Sequence, residues 1–183
     1  MTISIQTNLL AAVAKWAYPD TDKPHLSMVL FTLGEYVACD GHRLVRVPLD
    51  YSGPSFGVDR SHLLAAVAAQ REMSVAIKEI QIAADDAKVV LTVAPPSVIL
   101  TVPKRDASAY PPYEQVMPQG KPDKLPERYG FNPRYLDAIH EVDQASRPGS
   151  TNGVRIAAWG GSLDSMMFTN TDGIRFVVMP VRV

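Results

Sequence analysis

At 183 residues, with 46% hydrophobic and 20% charged residues, the chain has the balance of a folded protein with one ordinary core, or one core plus a smaller unit. A net charge of −1 and a pI near 6.4 exclude a strongly basic protein that coats nucleic acid, though a small basic face can sit within a neutral total. Cys39 is the sole cysteine, so no intrachain disulfide can form and nothing points to an oxidising compartment. The stretch Met1 to Trp16 lacks a basic start and its apolar run is too short for a signal peptide. No run approaches a membrane span, so a cytoplasmic location is expected.

Fifteen prolines and eleven glycines cut the sequence into short elements. In chain order, Ile3 to Ile5 reads as a strand leading into a helix from Asn8 to Trp16, with Thr7 or Asn8 as its cap. Met28 to Leu33 and Tyr36 to Ala38 flank the hairpin signal Gly34-Glu35, and Arg43 to Leu49 continues as a strand. Phe56 to Val58 then leads into a second helix, Arg60 to Arg71, after Asp59. Ile80 to Ala83 and Lys88 to Val93 flank a hairpin at Asp85-Asp86, and Ser97 to Val102 follows Pro95-Pro96. Prolines at 111, 112, 118, 122 and 126 mark a connecting segment. Tyr129 to Phe131 leads into a third helix, which starts at Asn132-Pro133 and ends before Arg147-Pro148-Gly149. Gly153 to Ala158, Ser165 to Thr169 and Arg175 to Val181 close the chain as three strands, separated by Gly160-Gly161 and Asp172-Gly173.

The same order recurs three times: a short strand, a short helix such as Leu9-Leu10-Ala11-Ala12-Val13 or Leu63-Leu64-Ala65-Ala66-Val67, then further strands. The uneven spacing excludes a solenoid. Three βαβββ-like units, short helices on antiparallel sheet, define an α+β class.

Chemistry-bearing patterns are sparse. His25, His42, His62, His140 and Cys39 show no metal-ligand spacing, and no phosphate loop, dinucleotide fingerprint or Gly-x-Ser-x-Gly is present. No metal or cofactor is expected. Asp40-Gly41-His42-Arg43 could place an acid beside a base. The glycine favours instead a tight turn in which Asp40 accepts from local amides and His42 and Arg43 are exposed. The run Phe176 to Val183 is apolar to the last residue. It suits either an edge strand of the core or one wall of a hydrophobic groove, where Met179 would adapt to varied ligands and Pro180 would stop edge pairing.

Four segments resemble one family, the bacterial DNA polymerase III β subunit, or sliding clamp. Ala38-Cys39-Asp40-Gly41-His42-Arg43-Leu44 resembles its ATDGHRLA segment, and Tyr110 to Pro118 resembles its FPDYxxVLP segment. Phe131-Asn132-Pro133-Arg134-Tyr135-Leu136 resembles its FNxxYL helix start, and Val177 to Val183 resembles its VVMPMRL terminus. The resemblance implies a DNA-clamp fold and no enzymatic activity. Family chains have three domains of two βαβββ halves each, and two chains close a ring. Residues 1–118 would match a complete middle-type domain, 119–127 a proline-rich linker, and 128–183 the second half of the last domain.

Carried over by motif, a peptide-binding pocket would comprise Leu26, Cys39, Gly41, His42, Arg43, Leu44, Pro111, Val116, Val177, Met179, Pro180, Val181, Arg182 and Val183. Its expected partners are DNA polymerase, clamp-loader or repair proteins that carry a Gln-Leu-x-Leu-Phe-like motif. Cys39 stands where the motif has threonine, and Val181 and Val183 where it has methionine and leucine, so the preferred peptide would differ. The candidates for facing double-stranded DNA are Lys15, Arg60, Arg71, Lys78 and Arg134, through sequence-independent phosphate contacts. The same residues also read as ordinary solvated helix charges. The resulting expectation is a processivity factor that encircles DNA as a homo-oligomer, without membrane association. The competing reading is a clamp-like regulator or decoy that binds peptides and encircles nothing.

Overall fold

Apolar residues at alternate positions build two antiparallel sheets, and three short helices cover one side of them. The computed structural model describes residues 2–73, 78–93, 98–118, 130–151, 153–159 and 164–181. The first unit holds β1 (Thr2–Gln6), α1 (Thr7–Ala14), β2 (Met28–Thr32), β3 (Glu35–Cys39) and β4 (Arg43–Pro48). The second holds β5 (Phe56–Asp59), α2 (Arg60–Glu72), β6 (Glu79–Ala84), β7 (Lys88–Val93) and β8 (Val98–Pro103). Two 3-10 turns follow, Ala107–Ala109 and Tyr113–Val116. The third holds α3 (Pro133–Ser146), β9 (Arg155–Trp159), β10 (Met166–Thr169) and β11 (Arg175–Val178). The fold is α+β, as expected.

The first two units exchange strands. β1 leaves its own unit and pairs with β6, giving a four-stranded sheet ordered β1-β6-β7-β8. β5 crosses the other way and pairs with β2. The third unit adds its strands edge to edge through β4 and β11, giving a seven-stranded sheet ordered β5-β2-β3-β4-β11-β10-β9. Gly57 makes the β5 crossing possible at close quarters. A Cβ there would lie 2.5 Å from Met28 Sδ and 3.0 Å from Arg105 Cβ, and Gly57 also exchanges backbone hydrogen bonds with Arg105.

α1 is apolar almost all round, which suits a helix surrounded by protein. Leu10, Ala11, Ala12, Val13 and Ala14 are all buried, and α1 packs against both α2 and α3. Its alanines allow close helix approach. Beneath the helices, Phe31 stacks on Phe56 with ring centroids 5.0 Å apart and on Tyr36 at 5.8 Å. Trp16 meets Phe176 at 5.8 Å, tying the end of the first helical segment to the third unit. Full burial of side chains of this size stabilises by roughly 1.5–3 kcal/mol each.

Several local expectations are corrected. Thr7 and Asn8 do not cap α1; Gln6 occupies that position without a side-chain bond. The Thr7 amide instead donates to the Lys78 carbonyl at 2.7 Å, so a neighbouring segment satisfies the first turn. Asp59 precedes α2 but makes no capping bond; its carboxylate lies near Arg105 and His62. At α3 the expectation holds, with Asn132 accepting from the Arg134 amide. Leu33 falls out of β2 into the hairpin turn, 73% exposed. The last strand stops at Val178, and Met179 to Val181 leave the ladder. Tyr129, residues 119–127, and Gly160-Gly161 lie outside the described residues. Among the described residues, no helix is long and apolar enough to cross a membrane.

A buried polar network fixes the third unit. Asn170 is buried between α3 and β11. Its Nδ2 donates to Asp143 Oδ1 at 3.0 Å, and its Oδ1 accepts from the amides of Asp172 and Ile174, each at 3.0 Å. Arg147 pairs with the same Asp143 carboxylate from the end of α3 and reaches Thr171 Oγ1 at 2.6 Å. Asn170→Ala strands two amides and half of Asp143's partners. It is expected to destabilise the protein by about 3 kcal/mol in urea unfolding, and a loss below about 1 kcal/mol would contradict the network's role.

Candidate functional site

The seven-stranded sheet has two faces because side chains alternate along each strand. Val29 and Phe31, Tyr36 and Ala38, Val45 and Val47, and Phe176 and Val178 point to the helices. Met28 and Leu30, Val37, Leu44 and Val177 point the other way, into a second apolar cluster. The connecting segment after β8 covers that second face, with Tyr110 buried in it and Ala107, Tyr113 and Met117 packed alongside.

The segment is pinned by charge and ring contacts. Arg46 makes a two-point pair with Glu35 at 2.8 and 2.9 Å. Tyr113 Oη donates to Glu35 Oε1 at 2.6 Å, and the Arg46 guanidinium lies 5.4 Å from the Tyr113 ring centroid. Burial and the bond to Glu35 hold the Tyr113 phenol far above its ordinary range. Ser165 Oγ donates to the Val116 carbonyl at 2.7 Å, joining the third unit to the same turn.

Between these walls lies a cavity of about 200 Å³, its lining mostly apolar. Leu26, Cys39, Gly41, His42, Arg43, Leu44, Pro111, Val116, Val177 and Met179 line it, and all but Leu26 lie in the segments quoted for the resemblance. Leu44 and Val177 are ladder partners across β4 and β11, so its floor lies on the junction between the first and third units. The Met179 amide donates to the His42 carbonyl at 2.9 Å, which closes one side. Pro180 and Val181 do not line the cavity. The Val181 amide donates to the Gly130 carbonyl at 2.8 Å, diverting the tail toward the start of α3. Arg182 and Val183 lie outside the described residues.

Tyr110, Pro112 and Tyr113 also line the cavity and were not among the expected residues, although all three fall within the proline-rich motif. Tyr110 stands where that motif has phenylalanine. Its added hydroxyl is buried with no hydrogen-bond partner among the described residues, and burial pushes the phenol well up. Burial also pushes the Cys39 thiol up, against the opposing pull of the Gly41 amide donating to Sγ at 3.3 Å.

The Asp40 turn shapes the rim. Gly41 adopts φ 95°, a conformation that L side chains rarely take. Asp40 Oδ1 accepts from the amides of His42 and Arg43 at 2.9 and 3.0 Å. His42 is exposed. Arg43 is not, which corrects the sequence expectation. Its backbone position, shared with Val45 and Val47, turns the guanidinium to the helix side. There it pairs with Asp40 at 2.8 Å, donates to the Lys15 carbonyl at 3.1 Å, and lies 5.0 and 5.6 Å from the Trp16 and Tyr135 rings. Both Asp40 oxygens are thus committed to amides and arginine, and neither bonds the His42 imidazole. The geometry suits apolar recognition rather than proton transfer.

The five candidate DNA-facing residues are spread over the helix side. Lys15 closes α1 and pairs with Glu141 of α3. Arg60 opens α2 and is half-buried, Arg71 sits in its last turn, and Arg134 lies in the first turn of α3. Lys78 precedes β6. Glu72, Asp137 and Glu141 are exposed on the same helices, so the charge there is mixed. Among the described residues, no cluster of His, Cys, Asp and Glu is placed to hold a metal ion.

No protein-family model and no curated protein matches the chain. Solved structures do. The whole chain superposes on the DNA polymerase III beta subunit of Thermotoga maritima with a TM-score of 0.72 at 16% identity, covering 66% of that chain. The Caulobacter crescentus pol III beta gives 0.65 at 18% identity and 66% coverage. The Pseudomonas aeruginosa DnaN sliding clamp bound to griselimycin gives 0.68 at 20% identity and 66% coverage. The chain therefore has the fold of the bacterial DNA sliding clamp, over about 66% of the length of those proteins.

Proposed function

We propose that the chain is a non-enzymatic, cytoplasmic clamp-like processivity factor. The cavity takes Gln-Leu-x-Leu-Phe-like motifs of DNA polymerase, clamp-loader or repair proteins, and copies of the chain assemble around double-stranded DNA. In this reading residues 1–118 form a domain of the middle type, 119–127 a linker and 128–183 a half domain. A ring of twelve halves then takes four copies.

The observation that carries the reading is the convergence at the cavity. Three segments far apart in sequence, singled out by motif alone, line one apolar cavity at the β4–β11 junction. An extended peptide that buries a leucine and an aromatic ring there gains roughly 1.5–3 kcal/mol per well-buried side chain. One observation favours the second reading, a peptide-binding regulator that does not encircle DNA. Lys15 is neutralised by Glu141, and the helix side carries acids beside its cations.

Fluorescence polarisation with a labelled Gln-Leu-x-Leu-Phe peptide tests the pocket. Wild type should bind. Val116→Asp and Met179→Asp, at half-exposed positions, should each weaken binding at least about tenfold with little change in thermal stability. Absence of wild-type binding, or full affinity in both variants, would contradict the reading. Cys39 offers a second readout. A raised thiol pKa means less thiolate at neutral pH, so iodoacetamide should modify native Cys39 more slowly than the unfolded chain at pH 8, and saturating peptide should slow it further. Encirclement predicts retention on closed circular DNA and loss from linear DNA of the same sequence. Retention on neither selects the regulator.

A further inference from the structure

We infer that the open side of the third unit, the outer edge of β9 with the adjoining face of α3, is completed by the third unit of a second copy of this chain, forming one composite domain across a two-fold axis. The inference deepens the assembly part of the proposed function and rests on that reading. It does not rest on peptide binding.

The seven-stranded sheet carries the argument. On one side of the β4–β11 junction stand four strands, β5-β2-β3-β4. On the other stand three, β11-β10-β9, and among the described residues no strand takes the place that corresponds to β5. In each of the first two units the corresponding place is filled by a companion: β5 lies on β2, and β1 lies on β6. Both filling strands run directly into a helix, and those two helices, α1 and α2, pack on each other. The exchange is reciprocal, each half giving the other a strand and a helix face. Halves that complete one another reciprocally make a self-complementary contact when they are identical.

The third unit also has a segment that sits as β5 does. β5 uses Gly57, three residues before α2 begins, to bridge Arg105 just beyond its own unit's last strand. Gly130, three residues before α3 begins, bridges Val181 just beyond β11 in the same way. The segment entering α3 thus already holds the position of a β5 against its own tail. What it lacks among the described residues is the partner strand that β2 supplies to β5.

The open side also exposes large apolar side chains. Leu136 occupies the place in the repeated helix motif held by Leu10 and Leu64. Leu10 is fully buried in α1 and Leu64 is half-buried in α2, whereas Leu136 is 44% exposed. Ile156 on β9 is 42% exposed. A groove of about 430 Å³ runs along α3 beside Leu136, with Ile139, Val154 and Phe168 in its walls together with the polar His140, Gln144 and Thr151. An unpaired strand edge beside such a groove is a template for one more strand.

Sedimentation velocity on the full chain across a wide concentration range, paired with hydrogen exchange, tests the assignment. Wild type should form species of at least twice the 20.0 kDa chain mass, and deuterium uptake over residues 155–159 should slow at high concentration. Leu136→Glu combined with Ile156→Glu should abolish that association while far-UV circular dichroism, thermal midpoint and peptide affinity stay at wild-type values. Leu33→Glu, at an exposed hairpin turn, should leave association unchanged. A strict monomer at all concentrations would overturn both this interface and the assembly reading. Association that persists in the double variant, or that leaves exchange at β9 unchanged, would overturn this interface alone.

Discussion

Four residue pairs join β4 to β11, from Arg43 with Val178 to Arg46 with Arg175. Each pair serves both faces of the sheet in turn. Phe176 and Val45 carry the helix-side core across the junction, and Leu44 and Val177 carry the opposite cluster. The last pair sets two arginines opposite each other, which would destabilise the ladder if left alone. Glu35 offsets this by gripping Arg46 at two points and then takes the Tyr113 hydroxyl. The same salt bridge therefore relieves a like-charge contact in the sheet and fixes the turn that walls the cavity. Without the junction, the third unit, the tail and the cavity floor would have no common frame.

Much of this frame is legible from residue order. The three helices and the strands fall where apolar periodicity and Pro/Gly punctuation put them, because those signals act over a few residues. Which strand pairs with which is not legible in that way. β1 and β6 are separated by two helices and four strands, and nothing local in Thr2–Gln6 shows that it leaves its own unit. The Asn170–Asp143 network is hidden for the same reason, since its two side chains are 27 residues apart and each alone reads as an ordinary polar residue. The cap of α1 was misjudged because the Thr7 amide finds its acceptor at Lys78.

The cavity is more legible than the fold's topology, because its lining residues, Leu26 apart, sit in three short motifs. The misses are physical. Arg43 shares a strand face with Val45 and Val47, so its charged end goes to the helix layer even though the residue borders the cavity. Val181 is drawn off by its bond to Gly130. Tyr110 and Tyr113 supply the wall because their rings fold back onto the second face of the sheet, a contact distant in sequence that the prolines of that segment do not signal. Tyr110 also departs from the motif in chemistry, through a buried hydroxyl without a partner among the described residues.

Taken together, the sheet junction makes a preformed apolar site, and among the described residues the two sides of that junction hold four strands and three. The most direct measurement of the central claim is methyl NMR of the chain titrated with a Gln-Leu-x-Leu-Phe peptide. The account predicts saturable shifts in the methyls of Met179, Val177, Leu44 and Val116, with those of Val13 and Val67 in the helix-side core unmoved. Shifts confined to the helix side, or no saturable shift at the β4–β11 junction, would contradict it.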